Sequence, residues 1–112
     1  MSGPLDGINV LDLGLAIVGP WGASQLGALG ANVVKVEPLE GDRVLANPPD
    51  MNGISVGYTF ASMNKRSAKL DLKDPRNKSC IDQLMSEADI LIENMKPGTA
   101  DRLGVGYERA RT

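Results

Sequence analysis

At 112 residues the chain has room for one domain with a real core, and its 42% hydrophobic content is that of a water-soluble globular protein. Twelve basic and fourteen acidic residues leave a net charge of −2, which argues against general nucleic-acid affinity, and no apolar run approaches the roughly 20 residues that span a bilayer. One cysteine (Cys80) and no histidine exclude an internal disulfide, a zinc site and a Cys–His nucleophile pair.

The N-terminal MSGPLDG lacks the basic-then-apolar pattern of a secretory signal, so a reduced, cytoplasmic protein is expected. Ile8–Leu13 (INVLDL) reads as a buried strand launched from the turn Pro4–Gly7. A loop with Gly14, Gly19 and Pro20 leads to a helix over Trp21–Leu29, with Pro20 in its first turn and Gly30 as its stop. Ala31–Glu37 is a second strand, closed by Pro38. Strand, helix and strand in so short a span make a βαβ unit with parallel strands. Residues 38–63 are irregular and rich in proline and glycine. They are too long for an ordinary connection, which marks them as functional or mobile.

Ser67–Leu72 is a third strand candidate. Asp74 then caps a helix with Pro75 at its first position, and Ile81, Leu84, Met85 and Ala88 fall at helical spacing. Ile90–Ile92 is a short apolar strand. Pro97 and Gly98 break the chain, Thr99 caps a short helix through Leu103, and the tail Gly104–Thr112 shows no clear element. The expected fold is α/β: one Rossmann-like domain over residues 1–112, an open, mainly parallel sheet flanked by helices.

Charge is concentrated in one place. Between Lys65 and Lys78 lie six basic residues and two acidic ones, in an otherwise acidic chain. Such an island is either a solvated charged loop or a site for a specific anionic partner. In open parallel sheets ligands sit beyond the C-terminal strand ends, where Leu13–Trp21, the segment from Glu37 and Glu93–Gly98 converge. The first of these resembles a phosphate-binding turn, but its glycines fit neither G-x-G-x-x-G nor the P-loop. Glu37 stands where a dinucleotide fold holds a ribose, or else it caps a surface loop. Arg102 offers a fork suited to a phosphate or carboxylate, or else pairs with Asp101 or Glu108 at the surface.

Four segments in order, PLDGINVLDLG, QLGALGANVVKVE after a GP, NKRSAKLDLKDP and EADILIENMKPGTADRLGVGYE, together resemble the N-terminal part of the class III coenzyme A transferases. That family includes formyl- and carnitine-CoA transferases and alpha-methylacyl-CoA racemases, and the resemblance runs from about Pro4 to Glu108. It implies CoA or an acyl-CoA as ligand. Leu70, Asp71, Leu72 and Lys73 would hold its adenosine end, with Lys65 and Arg66 of NKRS near its phosphates. Asn94, Met95 and Lys96 would line the nucleotide or pantetheine path, Arg102 would contact a phosphate, and Ile17 and Val18 would approach the thioester. Family members often carry an arginine after the second strand, where this chain has Pro38.

The resemblance also places the family's catalytic aspartate beyond this segment. The chain is therefore expected to be truncated relative to the family and to hold no catalytic residue of its own; Asp12, inside a strand, reads as structural. Three readings follow: a CoA-binding module, one part of a split transferase completed by a C-terminal polypeptide, and an interaction protein that keeps only the fold. A homo-oligomer is expected in each, since missing segments expose apolar surface.

Overall fold

The computed structural model describes residues 3–41, 50–51 and 54–112. The first strand, β1 (Asn9–Asp12), is followed by α1 (Val18–Ala28) and β2 (Asn32–Glu37). A two-stranded antiparallel ribbon, β3 (Asp50–Met51) and β4 (Ile54–Ser55), runs directly into α2 (Val56–Ala61). Then come β5 (Lys65–Lys69), α3 (Lys78–Glu87), β6 (Ile90–Ile92), α4 (Thr99–Arg102) and α5 (Tyr107–Ala110). The main sheet has four strands in the order β5-β2-β1-β6, and every pairing in it is parallel. An α/β fold with a parallel sheet, as the hydrophobic runs imply, is therefore present.

Strand β1 lies between β2 and β6 and is covered on both faces, so its adjacent Val10 and Leu11 are buried on opposite sides of the sheet. On one face Val10 and Val33 pack with Ala23 and Leu26 of α1. On the other, Leu11 and Val36 join Ile81 of α3, Ala100 and Val105, with Leu84, Met85 and Ala88 partly buried beside them. The helical spacing read in α3 thus faces the sheet.

Local chemistry fixes the helix ends. Asn32 follows a Schellman stop: the Gly30 N–H donates to the Gly27 carbonyl, the Ala31 N–H to that of Leu26, and Gly30 takes φ 105°. Asp74 accepts from the Arg76 N–H and caps a single 3₁₀ turn, Pro75–Asn77, which feeds α3. Gly27 lies against the next crossing of the chain, where a Cβ would stand 2.6 Å from the Asn64 carbonyl oxygen.

Several expectations need correction. The third strand starts two residues earlier than the pattern implied, at Lys65, because parallel pairing with Val33–Glu37 overrides the polar character of its first residues. Within the long connection from 38 to 63, β3, β4 and α2 are ordered elements, and Ser55 caps α2 by accepting from the Tyr58 N–H. Residues 42–49 and 52–53 of that connection lie outside the described residues. The short helix is capped by Gly98 at φ 85° rather than by Thr99, and the polar tail contains α5. Among the described residues no helix is long and apolar enough to cross a membrane.

Ile81 is 5% exposed, and its neighbour Cys80 is exposed and unbridged. Ile81→Ala is expected to lower unfolding free energy by about 2–4 kcal/mol through lost burial and a residual cavity. Cys80→Ser should stay within about 0.5 kcal/mol of the parent. Gly27→Ala should destabilise by about 1–3 kcal/mol. The better helix propensity of alanine offers only about 1 kcal/mol against that clash. Urea denaturation monitored by Trp21 fluorescence measures all three.

Candidate functional site

The strand order creates a switch point. From β1 the chain moves outward through β2 to β5 and then returns to place β6 on the other side of β1. The connections leaving β1 and β6 therefore diverge, and the crevice between them is where such folds bind ligands. Two loops meet there: 13–17 after β1 and 93–98 after β6.

Asp12 ends β1 and has no exposed surface. Its Oδ1 accepts from the Gly14 N–H at 2.8 Å, and its Oδ2 accepts from Lys65 Nζ at 2.6 Å. That ammonium also donates to the Pro20 carbonyl, in the first turn of α1, at 2.6 Å. The pair crosses β2, whose Lys35 lies in register with Asp12 and is buried as well. A carboxylate and an ammonium are tolerated in a dry layer only when paired and hydrogen-bonded.

The loop after β1 is held from its other side by Asn94. The Leu15 N–H donates to Asn94 Oδ1 at 2.6 Å, and Asn94 Nδ2 donates to the Leu15 carbonyl at 2.9 Å. Close packing needs the glycines here: a Cβ on Gly14 would come within 3 Å of Pro20 and Asp12, and one on Gly19 would meet Asn94. Ala16 at the tip takes φ 57°, an uncommon value for a residue with a side chain. Leu15, Ile17 and Val18 are exposed, and the Trp21 ring stacks with Phe60 of α2 at 6.5 Å between centroids.

A second feature lies past the C-terminal end of β5. A cavity of about 460 Å³ is lined by Leu72–Pro75, Lys78, Ile81, Asp82 and 102–104. The Asp71 carboxylate accepts from the Lys73 N–H, folding the 70–73 turn that presents Lys73. Arg102 Nη2 donates to Thr99 Oγ1 at 3.1 Å. Among the described residues no carboxylate lies within ion-pair distance of Lys73 or Arg102, so the surface alternatives for Arg102, Asp101 and Glu108, are not taken. Lys78 is paired with Asp82.

The cavity's own carboxylates stay ionised. The side-chain hydrogen bond of Arg76, followed by its backbone N–H, holds Asp74 below the usual carboxylate range. Asp82 is lowered chiefly by its hydrogen bond from Lys78, with Arg109 adding to it. Lys73 and Arg102 are therefore the cations with charge to spare.

The residues singled out by sequence separate into distinct places. Leu72, Lys73 and Arg102 share the cavity, and Leu70 and Asp71 form the turn leading into it. Ile17 and Val18 lie exposed in the loop that Asn94 holds through Leu15 at the switch point, while Met95 packs into the core and Lys96 is exposed. Lys65 and Arg66, adjacent in sequence, fall on opposite faces of β5. The Lys65 side chain is 2% exposed and committed to Asp12. Arg66 donates to Asn32 Oδ1 at 2.7 Å, beside a separate cleft at the N-terminal strand ends.

For two residues the sequence did not supply the partner. The Asp12 carboxylate organises the first loop, and its signal was a charge closing an apolar strand. Glu37 is not a loop cap: it is 3% exposed and accepts from the Tyr58 hydroxyl at 2.6 Å, which clips α2 to the end of β2.

Comparison with known proteins places this arrangement. The profile of CoA-transferase family III matches residues 5–112. Succinyl-CoA:mesaconate CoA-transferase of Haloarcula hispanica is 40% identical over 114 residues, covering 97% of this chain and 29% of that protein. Succinyl-CoA:glutarate CoA-transferase of Mus musculus is 38% identical over 107 residues, covering 94% of this chain and 24% of the relative. A CAIB/BAIF family protein from Brucella suis superposes with a TM-score of 0.90 at 34% identity, over 99% of this chain and 31% of that one. The chain thus spans less than a third of the length of the relatives it matches. It belongs to CoA-transferase family III.

Proposed function

We propose that this chain is the CoA-binding N-terminal part of a class III CoA transferase, taking CoA or an acyl-CoA as its ligand. The observation that carries this reading is the convergence of Leu72, Lys73 and Arg102 on one cavity, with two cations that no described carboxylate neutralises. CoA carries several phosphate charges on its nucleotide end. A guanidinium fork and an ammonium at a cavity mouth answer them with charge-assisted hydrogen bonds. Leu70–Lys73 would then hold the adenosine end, and Asn94, Met95 and Lys96 would line the way to the switch point. Ile17 and Val18 would meet the thioester there. Lys65 and Arg66 have other roles in this reading: one anchors the first loop, and the other ties β5 to β2.

Acyl transfer needs a nucleophile or an acid–base group open to the thioester. The Asp12 carboxylate is enclosed and occupied at both oxygens, so it does not serve. In this reading the reacting carboxylate comes from elsewhere, either the remainder of a longer chain or a complementing C-terminal polypeptide. The setting is reducing and cytoplasmic, in keeping with the free, exposed thiol of Cys80.

A second reading has its own support. Leu15, Ile17, Val18, Leu39, Val56 and Phe60 are all exposed apolar side chains, Val18 at 78%. Surface of that kind favours association with a further copy or another segment, so a homo-oligomer is expected in solution. The interaction reading alone, without ligand, stands if a folded chain binds no CoA.

Calorimetric titration with CoA decides between them. Saturable binding is expected, weakened in Arg102→Ala and Lys73→Ala by about 1.5–3 kcal/mol each, and weakened further by added salt. A folded chain that binds no CoA, or binds it equally well in both variants, overturns the site. For catalysis, the chain alone should exchange no acyl group between succinyl-CoA and a free acid, and measurable exchange above blank would show that it holds a nucleophile of its own. Light scattering at micromolar concentration should give more than the monomer mass.

A further inference from the structure

We propose that the buried Asp12–Lys65 pair is a positioning device that holds the first loop, residues 14–20, in the shape the thioester end of the ligand requires. This inference rests on the CoA reading above for the nature of the ligand. The geometry of the pair stands independently of it.

An ion pair is a poor choice for merely filling a dry layer, because apolar residues of similar volume do so at less desolvation cost. What the pair does that apolar residues cannot is hold hydrogen-bonding groups. One carboxylate oxygen takes the Gly14 N–H at the start of the loop. Through the other, Lys65 is held so that its ammonium reaches the Pro20 carbonyl at the loop's end. Both ends of the segment are thus fixed by a single charge pair whose cation comes from a strand two places away in the sheet.

The tip between those ends has little packing to shape it. Leu15, Ala16, Ile17 and Val18 are all exposed, and Ala16 sits at φ 57°. Its form is kept by directed polar contacts: the Asn94 clasp on Leu15, the Trp21 N–H to the Ile17 carbonyl at 2.7 Å, and the ion pair beneath. Asp12 and Lys65 touch no ligand in this scheme. They act through Gly14 and Pro20.

The test uses a double substitution, Asp12→Leu with Lys65→Met, which keeps the layer filled and removes both members of the pair together, and the single Lys65→Arg as the conservative variant. The first readout is amide hydrogen exchange in the ligand-free chain at Leu15 and Trp21, whose acceptors belong to neither member of the pair. In the double variant these two amides should exchange about tenfold faster or more, while Val34 and Leu91 in the sheet keep their protection. The second is calorimetry with acetyl-CoA and with adenosine 3′,5′-bisphosphate, the latter carrying only the nucleotide end. Acetyl-CoA should lose affinity in the double variant and the bisphosphate should not. Lys65→Arg should recover part of both signals.

Unchanged exchange at Leu15 and Trp21 in a folded double variant overturns the proposal. So does a parallel rise at Val34 and Leu91, which would make the pair a general brace of the sheet, and so does equal weakening of both ligands. If the parent chain binds neither probe, the CoA reading falls, and the exchange arm still decides whether the pair positions the loop.

Discussion

A carboxylate with no exposed surface has to meet its charge inside the protein. For Asp12 that requirement reaches across the sheet: the balancing ammonium stands on β5, with β2 between. Removing one partner alone would strand a buried charge, at a cost of about 3–5 kcal/mol. Parallel order, the register of β5 and the approach of α1 through Pro20 must therefore all be satisfied together. The apolar clusters on either face of the sheet supply the driving force for collapse, but they are tolerant of small shifts. The charge pair is not, and it sits directly beneath the loop that faces the switch point.

The two regions of the candidate site are held by different physics. Around the switch point, short loops are fixed by directed hydrogen bonds and by glycines that let backbones meet, as where Gly14 and Gly19 approach within van der Waals distance. In the cavity beyond β5, the backbone is shaped by ordinary turn chemistry from Asp71 and Asp74, and the functional content is electrostatic. Asp74 and Asp82 remain charged and offset part of the positive field, leaving Lys73 and Arg102 as its focus. Such a division suits a long ligand that is highly charged at one end and neutral at the other. α2 is clipped to β2 through Tyr58 and Glu37 and stacked on Trp21 of α1 through Phe60.

Much of the architecture was legible in the sequence because it rests on local signals. The apolar runs at β1, β2 and β6, the cap at Asp74 and the stop at Gly30 are each decided by residues close together in the chain. The start of β5 was not, since Lys65 and Arg66 look like loop residues until β2 is beside them. Neither was the helix in the 38–63 connection, whose Ser55 cap lies amid proline and glycine. For the site, sequence grouped residues by motif, and the fold regrouped them by face and by strand end. Lys73 and Arg102, twenty-nine positions apart, were brought together, while Lys65 and Arg66 were parted. Long-range partners such as Lys65 for Asp12 and Tyr58 for Glu37 have no local trace, because complementarity of charge leaves the choice among many candidates open.

The parting of Lys65 and Arg66 makes the spacing of this segment rigid in a way its composition conceals. An insertion or deletion of one residue between Asn64 and Ser67 would exchange the duties of neighbouring side chains. A bulky planar cation would be driven into the dry layer under α1, while the slender ammonium that fits there would be turned out beside Asn32. Length variation in this part of the chain should therefore be confined to the stretch ahead of α2, and a homologous chain with a shifted NKRS segment would need a new way to neutralise the end of its first strand.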